Sequence, residues 1–144
     1  RNYMTEPVLI PTKNIKEVEP FVLDSIDKAL KYSGGHYNLE DVRKDLHEGK
    51  SQLWILWNKD KQEQYQGCIV SKIIERPNTR SLNLFIVTGK DRKQWQDKIK
   101  VVEDWAKLEG CTHLETYARP GWSRILKKHN YKITHYLLER KLED

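Results

Sequence analysis

Thr88, Gly89 and Lys90 join an apolar run to a segment with helical spacing. A strand that turns through glycine into a helix leaves the first backbone N–H groups of that helix unpaired. Their partial positive charge suits a phosphate or pyrophosphate. Thr88, Gly89, Lys90, Arg92, Lys93 and Gln94 therefore form a candidate anion cradle. A second set of reactive side chains falls at period two on the next strand, where His113, Glu115 and Tyr117 share one face. Glu115, if buried and raised in pKa, would serve as a general base. The same alternation also fits a carboxylate and a phenol paired with lysines or hydrogen-bonded within a sheet. Glu75, near the end of an earlier strand, is a second base candidate on the same terms. Trp122 opens a helix after Pro120 and Gly121, where it would line a substrate pocket, dock a partner or plug a cleft.

Composition bounds this chemistry. With 144 residues, the chain is read as one domain over 1–144, long enough to bury a core without disulfides or metals. Met4 is read as the natural start, with residues 1–3 foreign to it. A formal charge of +5 helps contact with anionic ligands, but the basic residues are interleaved with acids, which argues against nucleic acid as the partner. Cys68 and Cys111 lack CxxC or histidine spacing, so no metal site is expected. Cys68 reads as a small core residue, and reduced thiols fit a cytoplasmic protein. No apolar run approaches the ~18 residues that would cross a membrane, and no signal peptide is visible. Ser-His-Asp sets, nucleotide-binding GxGxxG motifs and P-loops are absent from the sequence.

The elements that must position these residues follow from periodicity. A short strand at 8–10 precedes an amphipathic helix at 15–32, with Pro20 in its first turn. Gly34 and Gly35 stop that helix, Asn38 caps a second one, and Gly49 ends it. Strands are expected at 51–57, 65–76 and 81–88, joined by short turns into an antiparallel meander. Asp91 and Gln94 would box the start of a helix carrying Trp95, Ile99, Val102 and Trp105 or Ala106 on one stripe, ended by Gly110. A strand at 112–118 follows, and the intervening helix makes it parallel to the strand at 81–88. A short helix at 120–129 and a long strand at 131–142 complete the order β-α-α-β-β-β-α-β-α-β. The fold class is α/β, a mixed sheet flanked by helices.

That order resembles the GNAT acyltransferase fold over nearly the whole chain. Residues 81–118 match the family's cofactor-binding core in layout, and Asn130-Tyr131 stands where the family has a Gly-Phe-like pair. Residues 119–122, Arg-Pro-Gly-Trp, followed by a short helix and a long charged strand, also look like small GNAT-like proteins of tailed bacteriophages. The resemblance implies that the fourth and fifth strands splay and admit the arm of acetyl-CoA or another acyl-CoA. Phe85, Ile86 and Val87 would bond the arm, and residues 88–94 would face the pyrophosphate. The implied reaction moves an acyl group to an amine on a small molecule or a protein.

The sequence departs from the family pattern at two places. Gly89 is the sole glycine of the turn, and Asp91 puts negative charge where the pyrophosphate should lie. The family's tyrosine in the last short helix falls on Leu126, leaving Tyr117 as a stand-in. These departures define the alternative expectation, a GNAT fold kept without catalysis or cofactor in a phage structural or host-interaction protein.

Overall fold

The computed structural model describes residues 5–32, 35–90, 96–117, 124, 126–135 and 137–142. Strand β1 (Glu6–Ile10) leads through a single 3-10 turn into helix α1 (Ile15–Leu30), and α2 (Leu39–His47) follows. The meander is β2 (Gln52–Trp57), β3 (Tyr65–Arg76) and β4 (Thr79–Gly89). After it come α3 (Ile99–Leu108), entered through a 3-10 turn at Gln96–Lys98, and β5 (His113–Thr116). The five strands lie in chain order in one sheet. All neighbours are antiparallel except β4 and β5, which are parallel, as the α3 crossover requires.

Two apolar layers enclose the sheet. Ile15, Val22, Ile26 and Leu30 of α1 and Val42 and Leu46 of α2 pack on Leu53, Ile55, Cys68, Val70 and Ile86. Val102 and Ala106 of α3 pack on Trp54, Leu56, Ile69, Leu82 and Leu84 on the opposite face. The period-two alternation of the strands divides their side chains between these layers. Trp54 is fully buried, meets Trp105 edge-on at 5.5 Å, and donates its indole N–H to Ser71 Oγ at 3.0 Å. Its polar atom is thus satisfied inside the core.

Local chemistry sets the helix ends. Asn38 Oδ1 accepts from the Asp41 amide at 2.9 Å, and Asp41 Oδ2 accepts from the Asn38 amide at 2.9 Å, closing a capping box at α2. Across the helix pair, Glu19 of α1 accepts from Arg43 Nε of α2 at 2.6 Å and lies 3.0 Å from His47 Nε2. Gly49 and Gly110 take positive φ where α2 and α3 end. Pro20 is the sixth residue of α1, beyond the first turn expected for it. Proline has no N–H to offer the Lys16 carbonyl, and both residues are exposed, so the loss falls on the solvent face of the helix.

Several expectations at the C-terminal side are revised. The fifth strand spans four residues rather than seven, and Ala118 lies outside the described residues, as do Asp91, Trp95 and half of the expected helix at 120–129. The strand expected at 131–142 makes no ladder among its described residues. Its alternation breaks at the adjacent pair Leu137 and Leu138, a run of charges follows, and Leu137, Leu138 and Leu142 remain exposed. It buries too little apolar surface to offset the entropy of a fixed strand. Asn130 adopts φ of 69°, so it does stand in for glycine at the end of the preceding helical turn.

One glycine is fixed by close approach. Gly67 of β3 has φ of 150°, and a Cβ there would sit 2.3 Å from the Thr88 carbonyl oxygen of β4. Backbone, not a movable side chain, blocks it. Gly67→Ala is therefore expected to cost about 2 kcal/mol or more and lower Tm by at least about 4 °C. A thermal melt within a degree of the wild type would contradict this packing.

Candidate functional site at the outer edge of β4

The parallel pairing is short. It runs from Ser81 opposite His113 to Leu84 opposite Thr116, and there β5 ends. Thr116 Oγ1 donates to the Leu84 carbonyl at 2.8 Å, fastening the last paired position. β4 continues through residues 85–89, with residues 86–89 paired with β3, and no other strand among the described residues lies on its outer edge. The expected parting of the fourth and fifth strands thus has a position.

A bulge marks that position. Val70 opposes Ile86 and Ser71 opposes Leu84, so Phe85 is an extra residue with no partner on β3. Leu82 and Leu84 pack on the α3 side, whereas Phe85 and Ile86 both join the α1–α2 side. Such bulges disrupt the ladder locally and turn backbone groups away from it. Sequence reasoning treated this strand as regular. The signal was present as four consecutive apolar residues, 84–87, where strict alternation fails. Tyr37, from the segment before α2, lies over the bulge with its ring 6.0 Å from that of Phe85.

The anion cradle is only partly open at its backbone. The Lys90 amide is already spent on the Gln66 carbonyl at 2.8 Å. Thr88 Oγ1 accepts from the Cys68 amide at 3.1 Å. Lys90 Nζ meets Glu63 at 3.2 Å. Arg92, Lys93, Gln94 and Trp122 lie outside the described residues. Beside the turn is a groove of about 350 Å³, lined by Ser25, Lys28 and Ala29 of α1, by Tyr32 in the turn after it, by residues 65–67 of β3 and by residues 87–90. The α1 contribution went unread in the sequence because a helix stripe of mixed polarity carries no signal of what it faces.

The acid–base candidates separate. Glu115 sits opposite Asn83, and its carboxylate accepts from Arg76 at 2.9 and 3.1 Å and from Asn83 Nδ2 at 3.0 Å. The Arg76 guanidinium holds the Glu115 carboxyl below its ordinary range, outweighing the opposing effect of partial burial. The raised pKa that a base role asked for is therefore not met, and Glu115 is an ion-pair partner. Glu75 pairs with Arg80, opposite it at the other end of β4. That is eight residues from Thr88, or ~26 Å along a strand, so Glu75 does not share the site. Tyr117 follows β5 where the strands part, and its ring is largely exposed. Ser81 and Asn83 are buried in the same polar row, and Lys72 reaches Asp45 of α2 at 3.2 Å. Among the described residues no cluster of three or more histidine, cysteine or carboxylate side chains could hold a metal, and no helix is long and apolar enough to cross a membrane.

Sequence comparison matches no family model and no curated protein. Comparison of folds does find similar structures. The ribosomal-protein-alanine N-acetyltransferase of Brucella melitensis biovar Abortus superposes with a TM-score of 0.65 at 14% identity, over 97% of this chain and 99% of that one. A predicted acetyltransferase of Clostridium acetobutylicum, solved with acetyl-CoA, gives 0.65 at 15% identity over 96% of each chain. A Trypanosoma brucei acetyltransferase gives 0.64 at 9% identity, over 96% and 99%. At these identities the likeness is one of fold, and the chain has the GNAT fold, with its mixed sheet, parallel β4–β5 pair and flanking helices.

Proposed function

We propose that this chain is an acyltransferase that uses acetyl-CoA or another acyl-CoA to acylate an amine on a small molecule or a protein. The observation that carries the reading is the bulge in β4 together with its outer edge, which has no strand partner among the described residues from residue 85 onward. Backbone amides and carbonyls freed there suit an extended amide-bearing arm, which would add to the edge as a strand does. Solved structures of this fold named as acetyltransferases, one of them with acetyl-CoA, support the same reading.

When bound, the acyl-CoA supplies a thioester carbonyl open to attack by a neutral amine. Phe85, Ile86 and Val87 would hold the arm along this edge, where an N–H of the bulge would be placed to polarise the carbonyl oxygen. Thr88, Gly89 and Lys90 take the anionic end, with Arg92, Lys93 and Gln94 beyond them. Glu115 stays ionised in its pair with Arg76 and keeps the polar row of Asn83 and Ser81 in place beside the end of β5. The amine then loses its proton to water. Leu126 carries no hydroxyl, so the Tyr117 phenol is the group that returns a proton to the departing thiolate.

Calorimetric titration with acetyl-CoA should give a dissociation constant below millimolar, and absence of heat at millimolar cofactor would sink the reading. In the acylation assay Tyr117→Phe should lower kcat on the order of a hundredfold, at the low end of general acid catalysis, with KM for acetyl-CoA unchanged. The Glu115 pairing sets a pH dependence. A carboxyl lowered in the folded state stabilises fully above its unfolded value, about 4.3, and less as pH falls through its folded value. Wild type should therefore exceed Glu115→Gln in stability at pH 7, and the gap should shrink below about pH 4. A gap independent of pH would contradict the ion pair.

A further inference from the structure

The exposed stripe of α1 crosses the sheet toward the site. Phe21 meets Trp57 of β2 edge-on at 5.9 Å and Tyr65 of β3 at 6.2 Å. One turn on, Ser25 Oγ accepts from Tyr65 Oη at 3.0 Å. Further along, Lys28 and Tyr32 face residues 87–90 across the groove. The helix thus brings a cation and a phenol to the end of β4 where β5 no longer covers its edge.

The lining suits a phosphate-bearing ligand. Four hydroxyl groups, on Ser25, Tyr32, Tyr65 and Thr88, share the groove with Lys28 and Lys90. Burial pushes the Tyr65 phenol up in pKa, so it stays a neutral hydrogen-bond donor. Lys28 pairs with Asp24 at 3.0 Å and Lys90 with Glu63 at 3.2 Å, and all four side chains are more than half exposed. Solvated pairs of this kind contribute little to stability and are readily exchanged for an anion that offers several acceptors. The backbone of the turn is a poorer donor. The Lys90 amide is occupied by Gln66, Gly89 is its one glycine, and an acid follows at position 91.

We propose that the C-terminal end of α1 and the turn after it supply the phosphate contacts, with Lys28 and Tyr32 acting beside Lys90 to hold the diphosphate end of the acyl-CoA in this groove. The proposal rests on the cofactor reading above, and its ligand chemistry is that of a diphosphate anion. Affinity there should fall with salt, as for any contact made by exposed charges.

Titration calorimetry of the full chain with coenzyme A, with pantetheine and with inorganic pyrophosphate tests it. Lys28→Ala should weaken coenzyme A and pyrophosphate on the order of tenfold, the loss of one charge-assisted contact, and leave pantetheine unchanged. Lys28→Arg should restore most of the loss, and Lys16→Ala, on the exposed side of α1 away from the groove, should have no effect. Coenzyme A bound equally by wild type and Lys28→Ala would overturn the groove and leave the cofactor reading standing. Pyrophosphate bound through Lys28, with no added affinity for coenzyme A and none for pantetheine, would keep the groove and remove the cofactor reading. A wild type that binds none of the three overturns both.

Discussion

The site depends on one limit of pairing. β4 is eleven residues long, and its parallel neighbour covers only four of them. Over those four positions the sheet is closed by hydrogen bonds and by Leu114 packing with the α3 layer. Past Leu84 and Thr116 nothing in the described residues replaces the lost partner. An edge strand with unpaired backbone groups invites pairing. Here that edge lies between two helical layers, where an extended ligand can use it.

The bulge at Phe85 and the close approach at Gly67 act on the same stretch. The bulge places Phe85 and Ile86 successively against the α1–α2 core, anchoring the inner side of β4 while no described strand covers its outer edge. Gly67 lets β3 press against Thr88 and Gly89, which holds the strand's end in place without help from β5. Rigidity on one edge and vacancy on the other are what a binding edge needs, because ordering a loose strand would cost entropy on each binding event.

Much of this was legible in the residues. The helix cap at Asn38, the meander, the parallel crossover and the core role of Cys68 all follow from spacing and residue type, and each appears at the expected place. The bulge was missed because a run of apolar residues satisfies either face of a sheet buried on both sides, so its phase is set by tertiary packing. Whether Glu115 is a base or a paired carboxylate was open in the sequence because its partner Arg76 is thirty-nine residues away and comes beside it only once β3, β4 and β5 are in register. The last strand was expected from alternation alone, yet alternation forms a ladder only where a neighbour offers an edge and the apolar face is covered. Lys28 and Tyr32 could not be read at all, since their role depends on how α1 crosses the sheet.

Amide hydrogen exchange along β4 tests the central claim most directly. In the free protein, amides of residues 85–88 that point off the outer edge should exchange orders of magnitude faster than those of residues 82–84, as unpaired groups do. Saturating acetyl-CoA should slow them selectively. Uniform protection along β4 without ligand, unchanged when acetyl-CoA is added, would contradict an open edge that binds the cofactor.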